Sequence, residues 1–271
     1  MAKFDKVLIA SDMDGTLLGK DHLISEKNMQ AIEYFQQNGG TFTVATGRPP
    51  IAISFLLDGL NFTTPAVLLN GSVIYDVNAK KEVSSKMLGY DAVCIVEEVI
   101  KNFPDIGVEI FDIGDIYLVN PSEVSRRHFN SIHKEFKTTN FADVPPCETW
   151  LKVNFTCDDS ELLAKLEDFI KQNYADSFQL CYSCKQFLEI TNEKARKDHG
   201  VFEVADEYGF AREHIYTIGD NFNDLYMVKN AAKGFAPSNA EPEVQEAAFK
   251  VVSHHDDSAV ADMIEFLDTI Y

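Results

Sequence analysis

Positive charge is scarce in this chain: 24 lysines and arginines stand against 43 aspartates and glutamates, a formal charge of −19 over 271 residues. Such a surface repels the phosphates of nucleic acids and anionic membranes, so neither is an expected partner. A small phosphorylated ligand stays possible if the site brings its own positive charge, from a metal ion or a few basic side chains. Long apolar runs are missing as well. No stretch approaches the roughly 20 apolar residues that span a bilayer. The first strand begins at Val7, which leaves no room for a signal peptide, so the expected location is the cytoplasm. Cysteine is sparse: Cys94, Cys147, Cys157, Cys181 and Cys184, an odd set that fits reduced thiols. Cys181 and Cys184 have C-x-x-C spacing, but no second Cys or His pair at ligand spacing accompanies them, and they read as structural. Internal repeats and low-complexity tracts are absent too. The 45% hydrophobic and 11% aromatic content that remains implies a folded chain with a sizeable core, long enough for two domains.

The hydrophobic pattern divides the chain. Val7-Leu8-Ile9-Ala10 reads as a short buried strand. Ser25 can cap a helix running to about Asn38, with Met29, Ile32 and Phe35 on one face and Gly39-Gly40 closing it. A strand at 41–45 ends at Thr46-Gly47-Arg48-Pro49, and the prolines suit the first turn of a helix reaching about Asp58. Ala66 to Leu69 is a third strand, ending at Asn70-Gly71. This alternation argues a parallel sheet joined by right-handed crossovers. From about 85 to 187 the rhythm changes to short strands near 106–111, 116–119, 151–156 and 178–182, with helices near 91–103, 122–136 and 160–173. That pattern predicts an α+β insert. The alternation Leu151-Lys152-Val153-Asn154-Phe155 suits a sheet with one open face. The α/β rhythm returns at Phe187-Leu188-Glu189-Ile190, with a helix at 198–209, a strand at Ile215–Ile218, a short helix at 223–230, strands near 233–236 and 250–252, and a last helix.

Polar residues gather at the strand ends. Asp12 and Asp14, one residue apart at the end of the first strand, face the same way on an extended backbone before Gly15-Thr16 turn the chain. Ligands bind at that end of open parallel sheets. Thr46 with Arg48, Asn70, and the run Gly219-Asp220-Asn221-Phe222-Asn223-Asp224 end three further strands. Parallel strands would bring these groups to one rim, where Asp12, Asp14, Asp220 and Asp224 would place four carboxylates together. A hard divalent cation relieves that repulsion, and few protein ligands with room for substrate phosphate suit Mg2+ better than Ca2+.

The motifs S-D-M-D-G-T-L-L, T-G-R and G-D-N-F-N-D-L-Y-M, with N-G at 70–71 and A-P-S-N-A-E at 236–241, resemble those of the haloacid dehalogenase-like hydrolase superfamily. The resemblance is closest to its Cof-type sugar phosphatases with a large α/β (type C2) cap. It implies an α/β fold: a Rossmann-like three-layer core of residues 1–84 and 188–271 around a parallel sheet, with an inserted α+β cap at 85–187. It implies a phosphatase of small phosphorylated metabolites, sugar phosphates foremost, acting through an aspartyl-phosphate. Asp12 would be the nucleophile and Asp14 the general acid and base. Mg2+ would be held by Asp12, Asp14 through its main-chain carbonyl, Asp220 and Asp224, with Asp224 and Asn223 also supporting the loop. Phosphate would be bound by Thr46, Gly47, Arg48, Lys197 and Asn223. Counting from Glu189-Ile190 selects Lys197 as the basic clamp, although Asp198 replaces the usual following Gly and leaves Lys194 or Arg196 as alternatives. Arg48 could equally pair with a surface acid. His199 reads as a surface or helix residue, and His254-His255 as solvated. Phe111, Tyr117, Trp150 and Tyr182 read as cap core. Two other functions share the motifs: a phosphotransferase or phosphomutase on sugar phosphates, and a non-catalytic phosphate-binding regulatory module. The intact nucleophile and proton donor count against the module.

Overall fold

A computed structural model describes residues 2–53, 56–57, 59–132, 134–174 and 177–271. Its elements in chain order are β1 (Leu8–Ser11), α1 (Glu26–Gln37), β2 (Thr41–Val44), β3 (Ala66–Leu68), β4 (Val73–Asp76), β5 (Lys81–Ser85), α2 (Asp91–Asn102), β6 (Gly107–Phe111), β7 (Ile116–Asn120), α3 (Glu123–Ser131), β8 (Lys152–Thr156), α4 (Ser160–Tyr174), β9 (Phe178–Cys184), β10 (Phe187–Asn192), α5 (Lys197–Tyr208), β11 (Ile215–Ile218), α6 (Leu225–Asn230), β12 (Lys233–Pro237), α7 (Pro242–Ala247), β13 (Lys250–Val252) and α8 (Ala259–Asp268). They fall into two units: Met1–Arg48, Ile53–Ser84 and Arg196–Tyr271 form one, and Pro49–Ala52 with Ser85–Ala195 form the other.

The first unit is built on a parallel sheet in the order β13-β12-β11-β1-β2. β1 lies inside it, flanked by β11 and β2, and every one of its residues is buried, which is why it reads as an unbroken apolar run. The register sets Ser11 level with both Ile218 and Val44, so β1, β11 and β2 end together. Leu8 and Ala10 share a core with Val201, Val204 and Ala205 of α5 and Met227 of α6. Ala236 of β12 packs with Val228 and Val244. On the opposite face Phe266 of α8 meets Phe235 of β12, ring centroids 5.7 Å apart. Ser25 caps α1 by accepting from Asn28 N at 3.1 Å. The result is helix, sheet, helix: an α/β core.

The third strand departs from the expectation of a continuous parallel sheet. β3 forms an antiparallel pair with β4 in a sheet of its own, because the chain reverses at once through Asn70-Gly71. One parallel bridge, Ala45 to Val67, still ties β3 to the end of β2, reinforced by Thr46 N donating to Val67 O at 2.9 Å. Of the helix expected after Pro49, a single turn, Pro50–Ala52, is described; Ser54, Phe55 and Asp58 lie outside the described residues.

The second unit is an antiparallel sheet in the order β7-β6-β8-β10-β9. Val108, Ile110, Val153, Phe155, Leu188 and Ile190 form its core with residues of α2 and α4, and Trp150 belongs to that core. Two expectations are corrected here. Residues 188–195, read as the return of the α/β core, belong to this unit, since β10 is paired on both edges by β8 and β9. The alternation in β8 does not mark an open face. Lys152 and Asn154 are buried, because β8 is central and its polar side chains find partners across the sheet: Lys152 Nζ donates to Glu189 at 3.2 Å and Asn154 Nδ2 to Glu109 at 3.2 Å. α3 ends at Ser131, short of the expected 136, and His133 lies outside the described residues. Cys181 and Cys184 sit on β9 and both are free thiols.

Candidate active site

Every residue of the candidate site lies in the first unit, at the rim where β1, β11 and β2 end. Asp12 leaves β1 with its amide donating to Ile218 O at 2.9 Å, and it is 5% exposed. Lys197, the first residue of α5, reaches it from the return of the chain. Its Nζ donates to Asp12 Oδ1 at 2.6 Å and to Asp224 Oδ1 at 2.7 Å, with all three side chains buried. Of the three basic candidates for the clamp, Lys197 is the one seated on the acids. Arg196 turns away to pair with Asp198 and to stack over Tyr226 at 4.1 Å, while Lys194 is largely exposed beside Glu193. Asp198, in place of a Gly, also accepts from Asn230 at 3.0 Å, so it ties the start of α5 to the end of α6.

Asp224 is held on both oxygens. Besides Lys197, it accepts from the amides of Asp220 at 3.1 Å and Asn221 at 3.2 Å, shaping the turn that presents Asp220. Asp220 in turn accepts from Thr16 Oγ1 at 2.8 Å. Carboxylate oxygens of Asp12, Asp220 and Asp224 all lie within 4.8 Å of one another. Burial, and then the neighbouring Asp224, push the Asp220 carboxyl up to about 6. The same two causes hold Asp12 well above the usual carboxylate range, although Lys197 pulls it back. The charges of Asp12 and Asp224 keep the Lys197 ammonium protonated despite its burial.

The fourth acid does not join this cluster. Gly15 turns the chain at φ +74°, and Asp14 points to Arg48, which donates Nε to Oδ2 and a terminal nitrogen to Oδ1, each at 2.6 Å. The expectation of four gathered carboxylates is therefore corrected to three. Arg48 is paired with Asp14 in this structure.

Thr46 is 1% exposed, and its Oγ1 accepts from Arg48 N at 3.2 Å. Gly47 faces the Asn70 side chain: a Cβ there would sit 3.1 Å from Asn70 Oδ1. Asn223 Nδ2 donates to that same Oδ1 at 3.1 Å. Asn70 is thus a site residue to which the motifs gave no role. Its place follows from the turn it sits in, where Leu69, Asn70 and Gly71 have φ of 49°, 57° and 96°. Asparagine and glycine tolerate that region, so the Asn-Gly pair was a legible signal. His255, read as solvated, is half-buried and bonds through Nδ1 to Leu18 O at 2.7 Å.

The donor set fits a hard divalent cation. Three mutually repelling carboxylates meet one ammonium, and Asn223 Oδ1 is buried with no hydrogen-bond partner.

A model of the haloacid dehalogenase-like hydrolases matches residues 9–264, and the chain belongs to that family. Within it the chain is a phosphoric monoester hydrolase, as its relatives are named phosphatases. It is 26% identical over 260 residues to the 5-amino-6-(5-phospho-D-ribitylamino)uracil phosphatase YcsE of Bacillus subtilis, covering 96% of this chain and 95% of that protein. A haloacid dehalogenase-like hydrolase structure from Bacteroides thetaiotaomicron superposes with a TM-score of 0.84 at 25% identity, over 98% of this chain and 99% of that one. A subclass IIB sugar phosphatase shares the fold at a TM-score of 0.83 and 20% identity, over 97% and 99% of the two chains. Among the described residues no helix is long and apolar enough to cross a membrane.

Proposed function

We propose that the chain is a Mg2+-dependent phosphatase of small phosphorylated metabolites, sugar phosphates in particular, working through phosphorylated Asp12. The observation that carries the reading is the buried Asp12–Lys197–Asp224 chain with Asp220 beside it. Lys197 fixes one oxygen of Asp12 and offsets its charge, so the carboxylate is oriented for attack and repels an incoming phosphate less. A bond from Asp12 to phosphorus forms as the ester P–O bond breaks, and Asp14 gives a proton to the departing alkoxide. Water then attacks the phosphorus while Asp14 takes its proton, which releases phosphate and restores Asp12. Each Asp14 oxygen accepts one bond from Arg48, which leaves a second lone pair on each to carry the proton. Thr46 Oγ1 accepts from Arg48 N and keeps its own proton for a phosphate oxygen. When bound, Mg2+ supplies positive charge between nucleophile and phosphate, and Asp12, Asp220 and the Asp14 carbonyl would hold it, with Asp224 bracing the loop. The substrate class is supported by the ribityl phosphate named for the Bacillus subtilis relative.

The test is phosphate release with Mg2+ from a panel of sugar, sugar-alcohol and non-sugar phosphate esters, ranked by kcat/KM. Asp12→Asn should abolish turnover. Retained turnover in that variant refutes the nucleophile, and a ranking that favours non-sugar esters refutes the substrate class.

A further inference from the structure

The loop that carries Asp14 is fastened from outside. After Asp12 the chain closes on itself, Met13 O accepting from Leu17 N at 3.0 Å and Leu18 N at 2.8 Å, and a bridge from Leu18 to Ile24 completes a small hairpin. Three of its carbonyls each receive a donor from a distant side chain. Asn28 Nδ2 reaches Leu17 O at 3.1 Å, His255 Nδ1 reaches Leu18 O at 2.7 Å, and Asn239 Nδ2 reaches Gly15 O at 2.8 Å. The last differs from the others in its position. Gly15 follows Asp14 directly, and a Cβ on it would lie 2.5 Å from Asp220 Oδ2, so its backbone stands against both acids. Asn239 belongs to a turn closed by Ala240 N to Pro237 O at 2.9 Å, and Glu241 N in that turn donates to Asp220 O at 2.8 Å. One short turn thus grips both acid-bearing loops. The Asn239 amide is fixed at each end, since its Oδ1 accepts from His255 N at 3.0 Å.

From this bridge we infer that Asn239 is a positioning residue for phosphoryl transfer: it sets the Asp14 loop against the Asp220 loop through the Gly15 carbonyl. The inference rests on the phosphatase mechanism above and assigns Asn239 no contact with substrate. Small displacements of a reacting group cost rate steeply even when their cause is remote. Such a loss falls on kcat, because substrate binding is left in place.

The experiment compares wild type, Asn239→Ala, Asn239→Asp and Asp12→Asn for phosphate release with Mg2+, alongside thermal unfolding. Asn239→Ala should lower kcat about tenfold or more, with KM within about twofold and the unfolding midpoint within a few degrees of wild type. Asn239→Asp keeps the acceptor for His255 N and the side-chain volume, so it carries the test if the alanine variant does not fold. Its carboxylate opposes the Gly15 carbonyl at neutral pH, and kcat should fall at least as far. As the pH drops and the new carboxyl gains a proton it can donate to Gly15 O, so its kcat relative to wild type should rise; a purely structural role predicts no such rise. A kcat within twofold of wild type in the folded variants overturns the inference, as does a loss of kcat that only tracks lost folded protein. If wild type is active and Asp12→Asn is not, those outcomes count against Asn239 alone; a wild type that releases no phosphate, or an active Asp12→Asn, overturns the phosphatase mechanism and this inference with it.

Discussion

Replacing Asp220 by asparagine should stabilise the metal-free protein, although it removes a residue proposed to bind the metal. The Asp220 carboxyl is raised from 3.8 to about 6, first by burial and then by Asp224. At roughly 1.36 kcal/mol per pH unit, that difference of about two units makes the ionised form about 3 kcal/mol less favourable in the folded chain than in the unfolded one. The sign follows from the folded value lying above the unfolded value. The group's contribution to stability is fully present below about pH 4 and is lost as pH rises through about 6. Asp12, raised for the same reasons, adds a slope of the same sign. Asp198, Asp262 and Asp268 have lowered values, and their contributions disappear only in more acidic solution. Lowering the pH from 7.5 to 5.5 with EDTA present should therefore raise the melting temperature of wild type by several degrees. Asp220→Asn, which keeps an acceptor for Thr16 Oγ1, should be more stable than wild type by about 1–3 kcal/mol at pH 7.5 and show a shallower slope. Saturating Mg2+ should reverse the order, because only wild type has the full ligand set and binding adds stability by mass action. Scanning calorimetry across pH, with and without Mg2+, makes the measurement. A metal-free melting temperature that is flat or falls on acidification, or a variant destabilised by more than about 1 kcal/mol, would refute the reasoning.

Lys197→Met should cost about 3–5 kcal/mol in denaturant unfolding, since it strands Asp12 and Asp224 as buried charges. Adding Asp224→Asn should recover part of that loss. Gly71→Ala should be strongly destabilising and slow turnover, because its Cβ would meet Arg196 O at 2.3 Å and push the backbone just before Lys197. The control is Gly209→Ala, also at positive φ but with nothing within 4 Å; it should lose only about 1 kcal/mol of stability and leave kcat unchanged.

What could be read from the residues follows from the range of each interaction. Asp12 was legible because a buried strand announces itself as an apolar run, here Val7 to Ala10, and the first acid after the run stands just past its end. Asp220 and Asp224 were legible for the same reason at β11. The direction of Asp14 was not, since β1 ends at Ser11 and the chain is already turning at Met13, so the alternation that would have aimed it beside Asp12 does not extend that far. Spacing from Glu189-Ile190 favoured Lys197 but left Lys194 and Arg196 open, because charge and spacing do not show that one lysine is buried on two carboxylates and the other exposed beside Glu193. The second unit was misjudged at 188–195 because β10 has the apolar content of a core strand, and only its pairing with β8 and β9 assigns it. The polar row on β8 was misread as exposed for a related reason. Alternation reports which side chains share a face, not what covers that face.

The order of strands in the first sheet also governs when in the life of the polypeptide the centre comes into being. β1 is made early, yet one of its two neighbours, β11, is made after residue 214. Asp12 meets its lysine across 185 residues, and Thr16 meets Asp220 across 204. Chains leave the ribosome amino end first and fold as they emerge. A nascent chain that ends before residue 197 therefore displays Asp12 without the ammonium that holds it or the two acids at the end of β11. The cluster around Asp12 is complete only when the final third of the chain, which carries Lys197, Asp220 and Asp224, closes the rim.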